Sequence, residues 1–310
     1  MTNTETLGLS KPYLIQADDL TPGDIELIFN KAEFFMENSK RGEKFTDLKG
    51  ITVALAFFEA STRTKLSFEL AAKRLSADTL SFASSTSSLT KGESLIDTLR
   101  TIEAMNVQMY VVRHVNSGVP KFLQANTPGV VLNAGDGKHE HPTQALLDAF
   151  TLKRHFGKVE GLKVTIVGDI LHSRVARSNI SVLRTLGAEV ALLSPGTLLP
   201  RHINIWDTKI HNTVDEAIEW SDVLLVLRLQ RERMQSGILP SISEFNKYYG
   251  ISLERFSRKP EMALMHPGPV NYGIELDYRV SSYPNCLIET QVTHGVFIRM
   301  ALLSLLSQFV

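Results

Sequence analysis

"ITVALAFFEASTRTKLSFE", residues 51–69, is the stretch whose reading decides the fold. An apolar, β-branched run ends at Glu59 and Ala60, gives way to Ser61, Thr62, Arg63 and Thr64, and then resumes at helical spacing. A short run that is apolar on both alternating faces reads as a strand buried on both sides of a sheet. Its direct passage into a helix is the repeating unit of a parallel α/β architecture.

Outward from that stretch the pattern recurs. The runs "VQMYVVRH", "GVVLNAGD", "VTIVGD", "EVALLS", "DVLLVLRLQ" and "MALMHPGP" alternate with amphipathic segments. In "LTPGDIELIF", Thr21 suits an N-cap, Pro22 the first helical turn and Asp24 the positive helix end. With 310 residues the chain is long for one core, so two doubly wound domains are expected, each a central parallel sheet flanked by helices. The break falls in the helical segment Pro142–Phe156, after which "GKVEGLKVTIVGD" begins a fresh strand. The expected bounds are 1–144, completed by a C-terminal helix 293–310, and 145–292.

Bulk composition narrows the function. Thirty-three basic residues balance thirty-three acidic ones, so no global field draws nucleic acid or an anionic membrane, and anion specificity must be local. The single Cys286 fits a reducing compartment. The first residues lack a basic cap and apolar core, so no signal peptide is expected. "GVFIRMALLSLLSQFV", 295–310, contains Arg299 and reads as a buried helix rather than a membrane span. The expectation is a cytoplasmic protein.

The unusual polar residues cluster just after the expected strands, where open α/β sheets bind ligands. Two such sets, one per domain, are expected to face a shared cleft. Ser61–Thr64 offer hydroxyls, a guanidinium and a helix N-terminus to an anion; an ordinary helix cap is the plainer alternative. In "HPTQALLDAF", His141 can donate to an oxyanion and Gln144 can bond an amide, against a plain capped helix. His139, His141, Asp136 and Glu140 raise a metal site, but zinc-like ligand spacing is absent and no metal is expected.

"GDILHSRVARSN" supplies Arg174 and Arg177, and its single glycine argues against a dinucleotide fingerprint. With Arg228 and Gln230 it suggests a second site, for a small dianion. "HPGP" at 266–269 is a rigid turn with fixed carbonyls or an ordinary tight loop. Residues 81–94, rich in serine, read as an exposed loop carrying Lys91, and Arg231–Gly250 as a candidate lid.

Together "FFEASTRTKLSFE", "STSSLTKGES", "VVRH", "AGDGKHEHPTQALLD", "GDILHSRVARSN", "RLQRER", "MHPGPV" and "QVTHGVFIRMALL" resemble the aspartate/ornithine carbamoyltransferase family over nearly the whole chain. "SRVARSN", "RLQ" and "HPGPV" point to the aspartate branch, since an ornithine enzyme would carry "HCLP" for "HPGP". The resemblance implies carbamoyl transfer from carbamoyl phosphate to L-aspartate, a step of pyrimidine synthesis, without a cofactor.

Residue by residue, it implies that Ser61, Thr62, Arg63 and Thr64 hold the phosphate. Arg113, His141 and Thr64 contact the carbamoyl oxygen, and Gln144 the carbamoyl amide. Arg174, Arg228 and Gln230 hold aspartate, with Pro267, Gly268 and Pro269 supplying backbone to the substrates. Ser88 and Lys91 are implied to reach a neighbouring subunit's site in a homotrimer. A regulatory chain or a dihydroorotase-like partner is compatible with the same family. Ala60, Lys65, Tyr272 and His294 depart from the common pattern, where proline, arginine, arginine and asparagine are frequent. The rival readings are transfer to another amine such as ornithine, a nucleotide-dependent dehydrogenase and a non-catalytic anion-binding subunit.

Overall fold

Strand β1 (Thr52–Phe57) and helix α2 (Thr62–Arg74) are what the opening stretch becomes, with α1 (Pro22–Asn38) before them. The computed structural model describes residues 8–83, 94–230 and 241–310. It divides into two units, Met1–Leu147 with Thr293–Val310, and Asp148–Val292. The division falls at 147/148 rather than the expected 144/145, inside helix α5 (Pro142–Phe156).

The first unit holds a parallel sheet of order β2-β1-β3-β4, with β2 (Asp78–Ala83), β3 (Met109–His114) and β4 (Val130–Asp136). Helices α3 (Leu95–Ala104) and α4 (Val119–Gln124) link its strands. Val53, Ala54, Leu55, Ala56 and Phe57 are all buried, which is why this strand shows no polar alternation. Ala54, Ala56, Tyr110, Val112 and Val131 pack with Leu99, Ile102 and Leu123 into one core. β2 was not expected, and its Ser81–Ala83 lie in the stretch read as loop; pairing with β1 makes it a strand.

The second unit holds a parallel sheet of order β7-β6-β5-β8-β9. Its strands are β5 (Lys163–Val167), β6 (Glu189–Leu193), β7 (Lys209–His211), β8 (Val223–Val226) and β9 (Ala263–Met265). Between them run α6 (Arg174–Thr185), α7 (Val214–Trp220), α8 (Ile242–Tyr249) and α9 (Leu253–Phe256). Val167, Leu193, Leu224, Val226 and Leu264 form its core with Ala217, Ile218 and Phe256. Edge strand β7, only three residues long, was also unexpected.

Helix starts obey local chemistry. Thr21 and Asp24 form a reciprocal capping box on α1, with the Asp24 N–H 3.1 Å from Thr21 Oγ1 and the Thr21 N–H 2.9 Å from the Asp24 carboxylate. The last helix, α10 (Ile288–Leu306), begins before the apolar tail. It is long and apolar enough to cross a membrane by length and composition, yet more than half of that stretch is buried inside the protein. Gly295, Phe297, Ile298 and Met300 to Leu303 lie on its buried side.

Candidate active site

In each sheet the chain order reverses beside one strand. In the first unit β1 is flanked by β2 and β3, and in the second β5 is flanked by β6 and β8. Such switch points open a crevice beyond the carboxyl ends of the strands. The first unit puts Ser61–Thr64 and Arg113 there; the second puts Asp169, Arg174, Arg228 and Gln230 there.

Ser61 is the N-cap of α2, but its side chain makes no capping hydrogen bond. The hydroxyl placed to cap is thus not used for it. Thr62 and Arg63 are exposed and Thr64 is buried at the first turn, so these side chains share the helix end whose first N–H groups have no intrahelical partner. Arg113 pairs in register with Phe57, and its carbonyl accepts the Phe58 N–H at 2.8 Å. Its guanidinium lies 3.5 Å from Glu59 and donates to the Ala134 carbonyl at 3.3 Å, which aims it along the end of the sheet.

His141 caps α5 through its carbonyl, which accepts the N–H groups of Gln144 and Ala145. Both His141 and Gln144 are buried. The loop leading to them is held by Asp136, which sequence reasoning did not single out as a structural group. This fully buried carboxylate accepts from Gly118 N–H at 2.6 Å, Asn133 Nδ2 at 2.9 Å and Glu140 N–H at 3.1 Å, with His139 Nδ1 at 3.1 Å. Burial opposes its ionisation, but His139, Gly118 and Asn133 outweigh that and hold the carboxyl below the usual carboxylate range. Burial also lowers the His114 imidazole at the end of β3, which favours its neutral form. Asp136 is thus engaged by backbone and His139, and among the described residues no group of three or more metal-ligating side chains converges.

In the second unit Gly168 has φ +120°, and a Cβ there would stand 2.9 Å from the Leu227 carbonyl oxygen. The single glycine of "GDILHSRVARSN" therefore serves a close approach of β5 to the end of β8. Asp169, fully buried, accepts from His172 N–H at 3.1 Å and from Gln230 N–H at 3.3 Å, with His172 Nδ1 2.9 Å away. It joins the turn before α6 to the segment carrying Arg228 and Gln230. Ser173 caps α6, accepting the Ala176 N–H at 3.1 Å, and sets Arg174 at the helix start, buried to 4% exposure. Arg177 lies over the Trp206 ring, 5.2 Å from its centroid.

Pro267, Gly268 and Pro269 follow β9 at the same end of that sheet. Ser88 and Lys91 lie outside the described residues, as does 231–240 of the candidate lid. The rest of that lid contains α8, capped by Ser241 and anchored by buried Phe245 against Leu198 and Leu229. Of the departures, Ala60 and Tyr272 are exposed, Lys65 is half-buried and His294 is buried. Asp169 was legible only as part of its motif; a Gly-Asp at a strand end followed by His three residues on is the signal that marks both organising aspartates.

Comparison with known proteins agrees with this layout. Residues 13–154 match the family described as aspartate/ornithine carbamoyltransferase, carbamoyl-P binding domain, and 160–306 match its Asp/Orn binding domain. The aspartate carbamoyltransferase catalytic subunit of Desulfitobacterium hafniense is 49% identical over 302 residues, covering 97% of each chain. That of Carboxydothermus hydrogenoformans is 48% identical, covering 96% of this chain and 97% of its own. Among solved structures, Trypanosoma cruzi aspartate transcarbamoylase in complex with carbamoyl phosphate and aspartate is 31% identical with a TM-score of 0.85, covering 94% of this chain and 95% of its own. The M. jannaschii catalytic subunit is 34% identical with a TM-score of 0.84, covering 96% and 98%. With both halves matched in order, the chain belongs to the aspartate/ornithine carbamoyltransferase family.

Proposed function

We propose that the protein transfers the carbamoyl group of carbamoyl phosphate to the α-amine of L-aspartate, giving N-carbamoyl-L-aspartate and phosphate. The observation that carries this reading is the full-length match to aspartate carbamoyltransferase catalytic subunits, one relative having been solved with both substrates bound.

The residues supply what the chemistry needs. Carbamoyl phosphate already carries its leaving group, so the enzyme has to orient two anions and stabilise a tetrahedral oxyanion. Ser61, Thr62, Arg63 and Thr64 take the phosphate on the α2 N-terminus, while Arg113 and His141 donate to the carbamoyl oxygen and Gln144 meets its amide. Arg174, Arg228 and Gln230 hold the two carboxylates of aspartate, where a guanidinium gives planar, paired hydrogen bonds. The departing phosphate takes the amine proton. As attack proceeds, the amine nitrogen bonds to the carbonyl carbon and the carbon–oxygen bond to phosphate breaks.

The same reading places the reaction in pyrimidine synthesis, in the cytoplasm, and makes the active form a homotrimer in which Ser88 and Lys91 serve a neighbour's site. Incubation with carbamoyl phosphate and either aspartate or ornithine tests the activity. Ureido product from aspartate alone is expected; product from ornithine alone, or from neither, would overturn the reading. For the trimer, mixing Lys91→Ala and Arg63→Ala subunits should restore part of the activity that each variant lacks, and verified mixed trimers without recovery would refute shared sites.

A further inference from the structure

The turn His266 to Asn271, which carries the Pro267 and Gly268 backbone, is held by groups that no role in substrate binding explains. The Gly268 N–H donates to His266 Nδ1 at 2.9 Å, so that nitrogen carries no proton and the neutral ring bears its hydrogen on Nε2. Nε2 stands 3.4 Å from Glu275 Oε1, and both side chains are at most 1% exposed. The same Oε1 accepts the Asn271 N–H at 2.6 Å. One buried carboxylate therefore accepts the backbone N–H of the turn's last residue and faces the ring of its first across a charge contact, with no hydrogen bond to Nε2.

A second set of bonds anchors the start of the turn from below. The His266 N–H donates to Gln291 Oε1 at 2.9 Å, and Gln291 Nε2 donates to Asp148 Oδ1 at 2.7 Å. The other Asp148 oxygen accepts from Asn179 Nδ2 at 2.9 Å. Asp148, Asn179 and Gln291 are all buried, so this chain exchanges little with solvent and both ends of the Gln291 amide are committed. The backbone of His266 is thus fixed independently of its ring.

We propose that Glu275 is a positioning residue for the aspartate pocket: it holds the last residue of the 266–271 turn and, by facing Nε2 of the first with a buried negative charge, favours the Nε2–H tautomer of His266, which presents Nδ1 to the Gly268 N–H. A carboxylate facing one imidazole nitrogen is the usual means of fixing which nitrogen is protonated. In the other tautomer two N–H groups would point at each other at Gly268, and the turn would open. The inference rests on the transferase reading for its substrate, and on geometry alone for the tautomer.

The test has two arms. In the unaltered protein, nitrogen chemical shifts of labelled histidine should show His266 with its proton on Nε2; a proton on Nδ1 overturns the proposal, whether or not the protein is active. Glu275→Gln keeps the size and one acceptor but loses the charge. It should mix the His266 tautomers and raise KM for aspartate about tenfold, with KM for carbamoyl phosphate within about twofold of the original. Glu275→Asp, which keeps the charge, should recover part of that loss. Unchanged aspartate KM in Glu275→Gln, or an equal rise for both substrates, refutes the positioning role. Absence of activity in the unaltered protein would refute the transferase reading instead, and the tautomer arm would still decide the clamp.

Discussion

One strand in each unit ends on the same local device, Gly-Asp-x-x-His, and the two copies are used differently. Gly135 and Gly168 have φ of +115° and +120°, both aspartates are fully buried, and each carboxylate lies against the imidazole three residues on, at 3.1 Å for Asp136 and 2.9 Å for Asp169. His139 is 38% exposed, whereas His172 is 4% exposed. Asp136 gathers the Gly118 and Glu140 N–H groups and the Asn133 amide, so it locks the loop that delivers His141. Asp169 reaches across the switch point to the Gln230 N–H, so it ties the turn before α6 to the segment after β8. The difference teaches that a short motif can specify a turn, while the strands packed beside it decide what that turn connects.

The largest effect is expected from Asp136→Ala. It leaves three donors without their acceptor in a buried place and should lower unfolding free energy in urea by about 3 kcal/mol. A loss below about 1 kcal/mol would show that Asp136 is not the organising group of its loop. Asp169→Asn, which keeps shape but weakens acceptance from Gln230 and His172, should raise KM for aspartate about tenfold and spare carbamoyl phosphate. A matching rise for carbamoyl phosphate would break the distinction between the two turns.

The acid response sharpens the same contrast. The folded carboxyl of Asp136 lies below its unfolded value, so it contributes stability that is present above the ordinary carboxylate range and lost as pH falls through the folded pKa. Asp136→Asn should therefore be less stable than the original protein near neutrality, and the gap should narrow as pH falls below the ordinary carboxylate range in parallel urea titrations. The last comparison concerns the glycines. Gly168→Ala meets both a positive φ and the Leu227 carbonyl and should cost about 2 kcal/mol in stability. Gly157→Ala, at φ +81° but in open space, should cost about 1 kcal/mol by the same assay.

Much of the fold was legible because buried parallel strands are written as short continuous apolar runs. Seven of those runs were read correctly, and α5 spans the expected Pro142–Phe156. The two missed strands, β2 and β7, lie at sheet edges, where one neighbour rather than composition makes a strand. The polar residues after β1, β3, β5 and β8 were equally legible, since four donors in a row or paired arginines at strand ends are unusual wherever they occur. Glu275 was not legible, because a lone glutamate in a loop looks like any solvated charge until the fold buries it beside His266.

By itself, then, the sequence determined the α/β class, the strand-to-helix turns and which polar residues stand at the strand ends, because each follows from interactions between residues near one another in the chain. Tertiary structure alone decided that Ser61 does not cap with its side chain and that Arg177 lies over Trp206. It also decided that Asp169 meets Gln230 and that Glu275 closes on His266. The Asp169–Gln230 and Arg177–Trp206 contacts join segments distant in sequence, set by which strands lie side by side. Such pairing depends on the packing of the whole sheet, which no local pattern encodes.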